Sequence, residues 1–154
     1  MMKRIMFICH GNICRSPMAE FVLKKMLSEK GLLDGFVVES SATSTEEIWN
    51  GIGNPVYPPA REELAHHGIS CDGKRAVQLC KSDYGKYDML ICMDSRNIRN
   101  AMAILGGDPD KKLIKLMDLT KKGGDVADPW YSGDFGTAYR DIEEGCKALL
   151  EKLI

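Results

Sequence analysis

The stretch Cys9-His10-Gly11-Asn12-Ile13-Cys14-Arg15-Ser16-Pro17 constrains this chain more than any other. It follows the apolar run Ile5-Met6-Phe7-Ile8 and precedes a segment of helical periodicity, so strand, tight loop and helix N-terminus come in direct succession. A turn of this kind aims several backbone N–H groups, and the positive end of a helix dipole, at one point. Gly11 and Asn12 are residue types that accept the left-handed backbone needed to fold amides inward around an anion. Ser16 can act as the helix N-cap, with Pro17 at the first helical position. Cys9 starts the loop, where dipole, amides and Arg15 together favour the thiolate. Arg15 offers a planar fork that matches two oxygens of a phosphate. A nucleophilic sulfur on the floor of an oxyanion cup suggests attack on phosphorus. The bland alternative is a buried strand cysteine beside a surface arginine.

Taken in order, residues 2–9 read as a buried strand and Pro17 to Lys30 as a helix that stops at Gly31. Met18, Phe21, Val22, Leu23, Met26 and Leu27 give that helix a broad apolar face. Residues 36–40 form a second strand, so the first unit is βαβ and the sheet begins parallel. Residues 41–59, with Pro55, Pro58 and Pro59, read as a long irregular loop. A short helix over 59–67 ends at Gly68. His66 and His67 are adjacent, cannot face one ligand together, and read as solvated histidines at the helix end. Residues 81–86 suggest a short helix or turn and 87–93 a third strand. Asp94 caps a helix running to Leu105, whose inner stripe is Ile98, Ala101, Met102 and Leu105. Residues 112–117 are a fourth strand. Phe135, Tyr139, Ile142, Cys146, Leu149, Leu150 and Leu153 lie along one face of a closing helix. The expected fold is a small α/β domain spanning residues 1–154. It has a four-stranded parallel sheet with helices on both faces and the phosphate-binding loop between its first strand and first helix.

Composition narrows the class. The chain has 154 residues, a formal net charge of −1 and 28% charged residues, so no field points toward nucleic acid or a membrane surface. The basic start and the Ile5–Cys9 run imitate a secretory leader, but the run falls short of the roughly 7–15 apolar residues of an h-region. Six cysteines would permit disulfides, yet they lack paired zinc-site spacing, and a reactive Cys9 needs a reduced thiol; a cytoplasmic protein without a metal is expected.

A second chemical element is Asp128-Pro129-Trp130-Tyr131-Ser132-Gly133, a loop fixed by Pro129 and Gly133 with a carboxyl at its head. Expelling a phenolate of pKa about 10 calls for a carboxylic acid over the leaving oxygen. An Asp-Pro turn with no further task reads these residues equally well. Trp49-Asn50, in the long loop, stands out as an aromatic in polar surroundings. From residue type alone, packing downward is its better reading.

Cys-x5-Arg-Ser is the signature of cysteine-dependent phosphatases. The longer string from Cys9 to Pro17, with the Asp-Pro-aromatic-Tyr loop near the other end, resembles the low-molecular-weight protein tyrosine phosphatases over the whole chain. The resemblance implies Cys9, Arg15 and Asp128 as catalytic residues and His10, Gly11, Asn12, Ile13, Cys14, Arg15 and Ser16 as the phosphate-binding loop. It assigns Trp49, Trp130 and Tyr131 to the substrate walls, so Trp49 turns from packing to the cleft. It implies a phosphotyrosine protein or peptide as substrate, inorganic phosphate as product, no cofactor, and a monomer able to form weak dimers through its aromatic rim.

Cys14, on the same loop as Cys9, is a candidate redox partner for it. Asp94 matches an acidic family residue, but its N-cap role suffices and it stays outside the catalytic set. The histidine that braces the loop in eukaryotic members is missing, Gly73 falling near it, which leaves their bracing network in doubt. Four alternatives share the architecture or its loop, one of them a non-catalytic phosphate-binding module, which would not need to keep Cys9 and Asp128 together. Arsenate reductase needs a later Cys-x6-Cys pair, but Arg99 stands seven residues after Cys92. A protein-arginine phosphatase would carry Thr in place of Ile13. A phosphocysteine carrier would lack Arg15 and Asp128.

Overall fold

The computed structural model describes residues 2–154. Strand β1 (Lys3–Cys9) leads to helix α1 (Arg15–Glu29), then β2 (Phe36–Ala42), a hairpin of β3 (Ile48–Trp49) and β4 (Ile52–Gly53), and α2 (Pro58–His66). There follow β5 (Met89–Cys92), α3 (Ser95–Leu105), β6 (Leu113–Lys115), the one-turn α4 (Pro129–Ser132) and the long α5 (Phe135–Leu153). The main sheet has the order β2-β1-β5-β6 and every pairing in it is parallel. The expected four-stranded α/β architecture is therefore present.

Strand alternation explains why helices lie on both faces. Ile5, Phe7 and Cys9 of β1 point into the larger core, which includes α1 and α5 residues such as Leu23, Leu27, Ile142 and Leu149. Met6 and Ile8 point the other way, toward Leu90, Ala101 and Leu105 beneath α3. Met102, expected on the inner stripe of α3, is instead 37% exposed. Gly145 of α5 sits so close to Leu116 that a Cβ there would lie 2.4 Å from its Cγ, so the helix can approach only with glycine.

The chain leaves β1 toward β2 on one side and later returns to pair β5 on the other. The crevice between the C-terminal ends of β1 and β5 is thus a topological switch point, the usual place for a ligand in such sheets. The loop expected at 41–59 contains the unforeseen β3–β4 hairpin. Its turn is Asn50-Gly51, both left-handed at φ 51° and 76°, which is the turn that a two-residue hairpin demands. His67 is exposed as expected, but its ring also stacks on Tyr139 at 3.7 Å and its Nε2 lies 2.9 Å from Glu63. No helix of the described residues is long and apolar enough to cross a membrane.

Candidate active site

Helix α1 begins at Arg15, two residues before the Pro17 start expected from the sequence. Cys14 occupies the cap position without a side-chain hydrogen bond, so Ser16 is not the N-cap and Pro17 is not the first helical residue. The Ser16 hydroxyl is used elsewhere: its Oγ lies 2.9 Å from the Cys9 sulfur. Backbone N–H groups of Asn12 and Ser16 also point at that sulfur, at 3.3 and 3.4 Å. Two amide donors and a hydroxyl thus converge on one buried sulfur at the end of β1.

Asn12 is the left-handed residue of the loop, at φ 60°. Gly11 is not left-handed; what it supplies is room, since a Cβ there would stand 3.3 Å from the Glu47 Cγ. The Asn12 side chain, 1% exposed, donates to Ser16 Oγ at 2.8 Å and Ser40 Oγ at 2.9 Å and accepts from the Val77 N–H at 3.0 Å. Ser40 passes the chain of bonds on, donating to Glu20 at 2.6 Å. Buried Glu20 is flanked by Lys24 at 2.7 Å and Lys74 at 3.5 Å, and Lys74 also donates to the Ser40 carbonyl. Burial lowers the Lys74 pKa from its ordinary value, partly opposed by Glu20. The bracing network left in doubt by the missing histidine is present: Asn12 joins Ser16, Ser40 and the Val77 N–H, and Glu20 and Lys74 support it from behind Ser40. Glu20, Ser40 and Lys74 went unnoticed in sequence because a serine in a strand and charges on a helix carry no motif.

Arg15 is 3% exposed. Its Nη1 donates to Asp94 at 2.8 Å and to the Val126 carbonyl at 3.2 Å, and its Nη2 lies 3.5 Å from the Asp128 carboxylate. Burial works against the guanidinium charge, but Cys9, Asp128 and Asp94 outweigh it and raise the Arg15 pKa. Asp94 caps α3 by accepting from the Asn97 N–H at 2.8 Å, as expected, and holds Arg15 as well. Burial opposes its charge too; the Asn97 N–H and Arg15 prevail and keep its carboxyl below the usual range. One residue does two tasks, and the sequence exposed only the capping one.

These side chains face a cavity of about 780 Å³. Cys9, His10, Gly11, Ile13, Cys14 and Arg15 line its floor, and Asp128, Trp130 and Tyr131 form one side. Asp128 caps α4, its Oδ1 accepting from the Trp130 N–H at 3.0 Å, and the Trp130 ring meets Tyr57 at 4.9 Å. Trp49 lies outside this lining, 79% exposed on β3, and Glu46 and Glu47 face the cavity from its side. Asn12 and Ser16 stand behind the floor as braces of the loop. Cys14 is buried next to Cys9; burial first, then the charges of Cys9 and Asp128, push its thiol up to about 12.

A sequence model of the low molecular weight phosphotyrosine protein phosphatases matches residues 4–154. The chain belongs to this family. It is 35% identical to the low molecular weight phosphotyrosine protein phosphatase of Sus scrofa, over 98% of its own length and 96% of the relative's. It is 34% identical to the low molecular weight protein-tyrosine-phosphatase YfkJ of Bacillus subtilis, over 99% and 96%. The YfkJ crystal structure superposes with a TM-score of 0.93, covering 99% of this chain and 95% of that one. A low molecular weight protein tyrosine phosphatase from Streptococcus pyogenes superposes at 0.86 with 37% identity, covering 99% and 94%. By family the chain is a protein-tyrosine-phosphatase, a hydrolase.

Proposed function

We propose that residues 1–154 form one phosphatase domain that hydrolyses phosphotyrosine in proteins or peptides, by way of a phosphate ester on Cys9. The reading is carried by the meeting of a buried thiol, a buried guanidinium and a carboxyl on one cavity. The Cys9 thiolate attacks phosphorus in line, while Arg15 and the amides of residues 10–16 hold the equatorial oxygens. The phosphorus–oxygen bond to the tyrosine breaks as the sulfur–phosphorus bond forms, and Asp128 gives its proton to the departing phenolate. Asp128, now a carboxylate, takes a proton from water as that water attacks the cysteinyl phosphate. Inorganic phosphate leaves, and the Ser16 hydroxyl stabilises the departing sulfur through its hydrogen bond. No cofactor or metal enters these steps.

Trp130 and Tyr131 form the substrate wall, and Trp49, exposed on β3 outside the lining, meets only the parts of a substrate that lie beyond it. Aromatic walls suit a phenyl ring, so phosphotyrosine is favoured over the shorter phosphorylated serine and threonine. Ile13, in place of threonine, disfavours phosphoarginine. A reduced thiol suits the cytoplasm. Cys14 serves as the redox partner: a sulfenic acid on Cys9 condenses with the Cys14 thiol, releasing water and leaving a reducible disulfide. The working unit is a monomer, with weak dimerisation through the aromatic rim.

The test is a substrate panel of p-nitrophenyl phosphate, a phosphotyrosine peptide, phosphoarginine and arsenate, with Asp128→Ala beside the wild type. The proposal expects turnover of the first two, and a loss of about 10²–10⁴-fold in Asp128→Ala on the peptide. The loss should be smaller on p-nitrophenyl phosphate, whose phenolate needs its proton less. Consumption of phosphoarginine or arsenate alone would overturn the substrate.

A further inference from the structure

The cavity is lined by charged residues beyond the Cys9 loop, from the start of α3 and from the loop that follows β2. From α3 come Ser95, Arg96, Asn97 and Arg99. The acids beside them are already matched: Asp94 holds Arg15 at 2.8 Å and Asp125 holds Lys115 at 2.9 Å. Arg96 and Arg99 are exposed, and among the described residues neither guanidinium enters an ion pair. Three residues apart on a helix, they present their side chains on one face. Glu46 and Glu47 also line the cavity, from the loop after β2, and β2 flanks β1 on the side away from β5, which leads into α3. Glu46 meets the ring of His10 at 2.9 Å, and Glu47 accepts only from the neutral amide of Asn54 at 3.0 Å. The cleft is therefore polarised across its width, cationic along α3 and anionic along the loop before the hairpin.

Unpaired arginines on a helix face are ordinarily solvated and do nothing further. These two differ in place, because they line the same cavity as the nucleophile. A phosphotyrosyl side chain that reaches Cys9 carries its neighbouring residues past the cavity walls.

We propose that Arg96 and Arg99 form a flanking subsite that receives acidic side chains beside the phosphotyrosine. Glu46 and Glu47 repel acid and accept base on the opposite flank. The inference rests on the phosphotyrosine reading above and adds a substrate class to it: phosphotyrosyl peptides that are acidic on one side. Each guanidinium can hold a carboxylate through two parallel hydrogen bonds. The same field steers such a peptide into the cleft at long range. Both effects weaken with salt.

The experiment compares kcat/KM for phosphotyrosine peptides flanked by alanine, by aspartate on the N-terminal side, by aspartate on the C-terminal side, and by lysine in each position. Each rate is divided by that for p-nitrophenyl phosphate, which has no flanks. One acidic arrangement should exceed alanine by about 3- to 10-fold at low salt and lose most of that advantage at about 0.5 M. In R96E/R99E the preference should pass to lysine at the same position, and R96Q and R99Q should each lose part of it. Should the double reversal not fold, the two single variants carry the same comparison. Equal ratios for acidic, neutral and basic peptides would overturn the proposal, as would an acidic preference that survives in the variants. Wild-type protein that turns over no p-nitrophenyl phosphate would instead sink the phosphatase reading itself, leaving the two failures distinct.

Discussion

Between β1 and α1, the loop that carries Cys9 is followed by Arg15 and Ser16 at 3% and 0% exposure, with Asn12 inside it at 1%; in the Asp128–Gly133 segment, by contrast, Trp130 is 54% exposed and Tyr131 81%. The first loop is tied to β2 through Ser40, to the segment after α2 through Val77, and to α3 through Asp94. The second is held by its own cap, Asp128 to the Trp130 N–H, and by the contact of Trp130 with Tyr57. The difference follows from what each must meet. A phosphoryl group is the same in every substrate, so donors fixed in place before it arrives need no reorganisation. The rest of a phosphoprotein varies, and exposed aromatic walls meet it with area and not with fixed partners.

Breaking the buried side should cost most. Arg15→Lys keeps a cation but loses the fork shared among phosphate, Asp94 and the Val126 carbonyl; kcat should fall about 10²–10³-fold in steady-state assays. Asn12→Ala removes the buried side chain that joins Ser16, Ser40 and Val77, so the Val77 N–H loses its acceptor and the buried Ser16 and Ser40 hydroxyls lose a donor. Denaturant unfolding should show a loss of about 1–3 kcal/mol, with kcat reduced more than KM is raised. Asp94→Asn sharpens the same side through pH. Because the native Asp94 pKa lies below its ordinary value, its stabilisation is complete above about pH 3.9 and fades as pH falls through the native pKa. The unfolding midpoints of wild type and variant should therefore differ at neutral pH and approach one another in acid. On the exposed side, Tyr131→Ala should raise KM for a phosphotyrosine peptide a few-fold and leave stability within about 0.5 kcal/mol.

How much of this was legible in the sequence depended on the range of the interaction. The sheet could be read because Ile5 to Ile8, the α1 stripe and the Phe135–Leu153 spacing are local periodicities that burial enforces. The loop could be read because its parts lie within nine consecutive residues. The brace could not: Ser40 is 28 residues from Asn12, Val77 is 65, and Asp94 is 79 from Arg15. Such bonds exist only once the fold has brought strand ends together. The hairpin at Asn50-Gly51 is the opposite case, a local turn signal within a stretch whose prolines and polar residues read as irregular loop. Ser16 was assigned a cap because its residue type suits one; the nearby thiol and Asn12 claimed its hydroxyl instead.

The most direct test of the central claim is to quench turnover of a phosphorus-labelled phosphotyrosine peptide in alkali, where a sulfur–phosphorus ester survives, and to locate the label by peptide mass spectrometry. The account expects a phosphoryl group on the peptide that contains Cys9, formed and consumed at the rate of turnover, and both label and turnover lost in Cys9→Ser. Turnover with no labelled protein, or a label that persists elsewhere in Cys9→Ser, would contradict it.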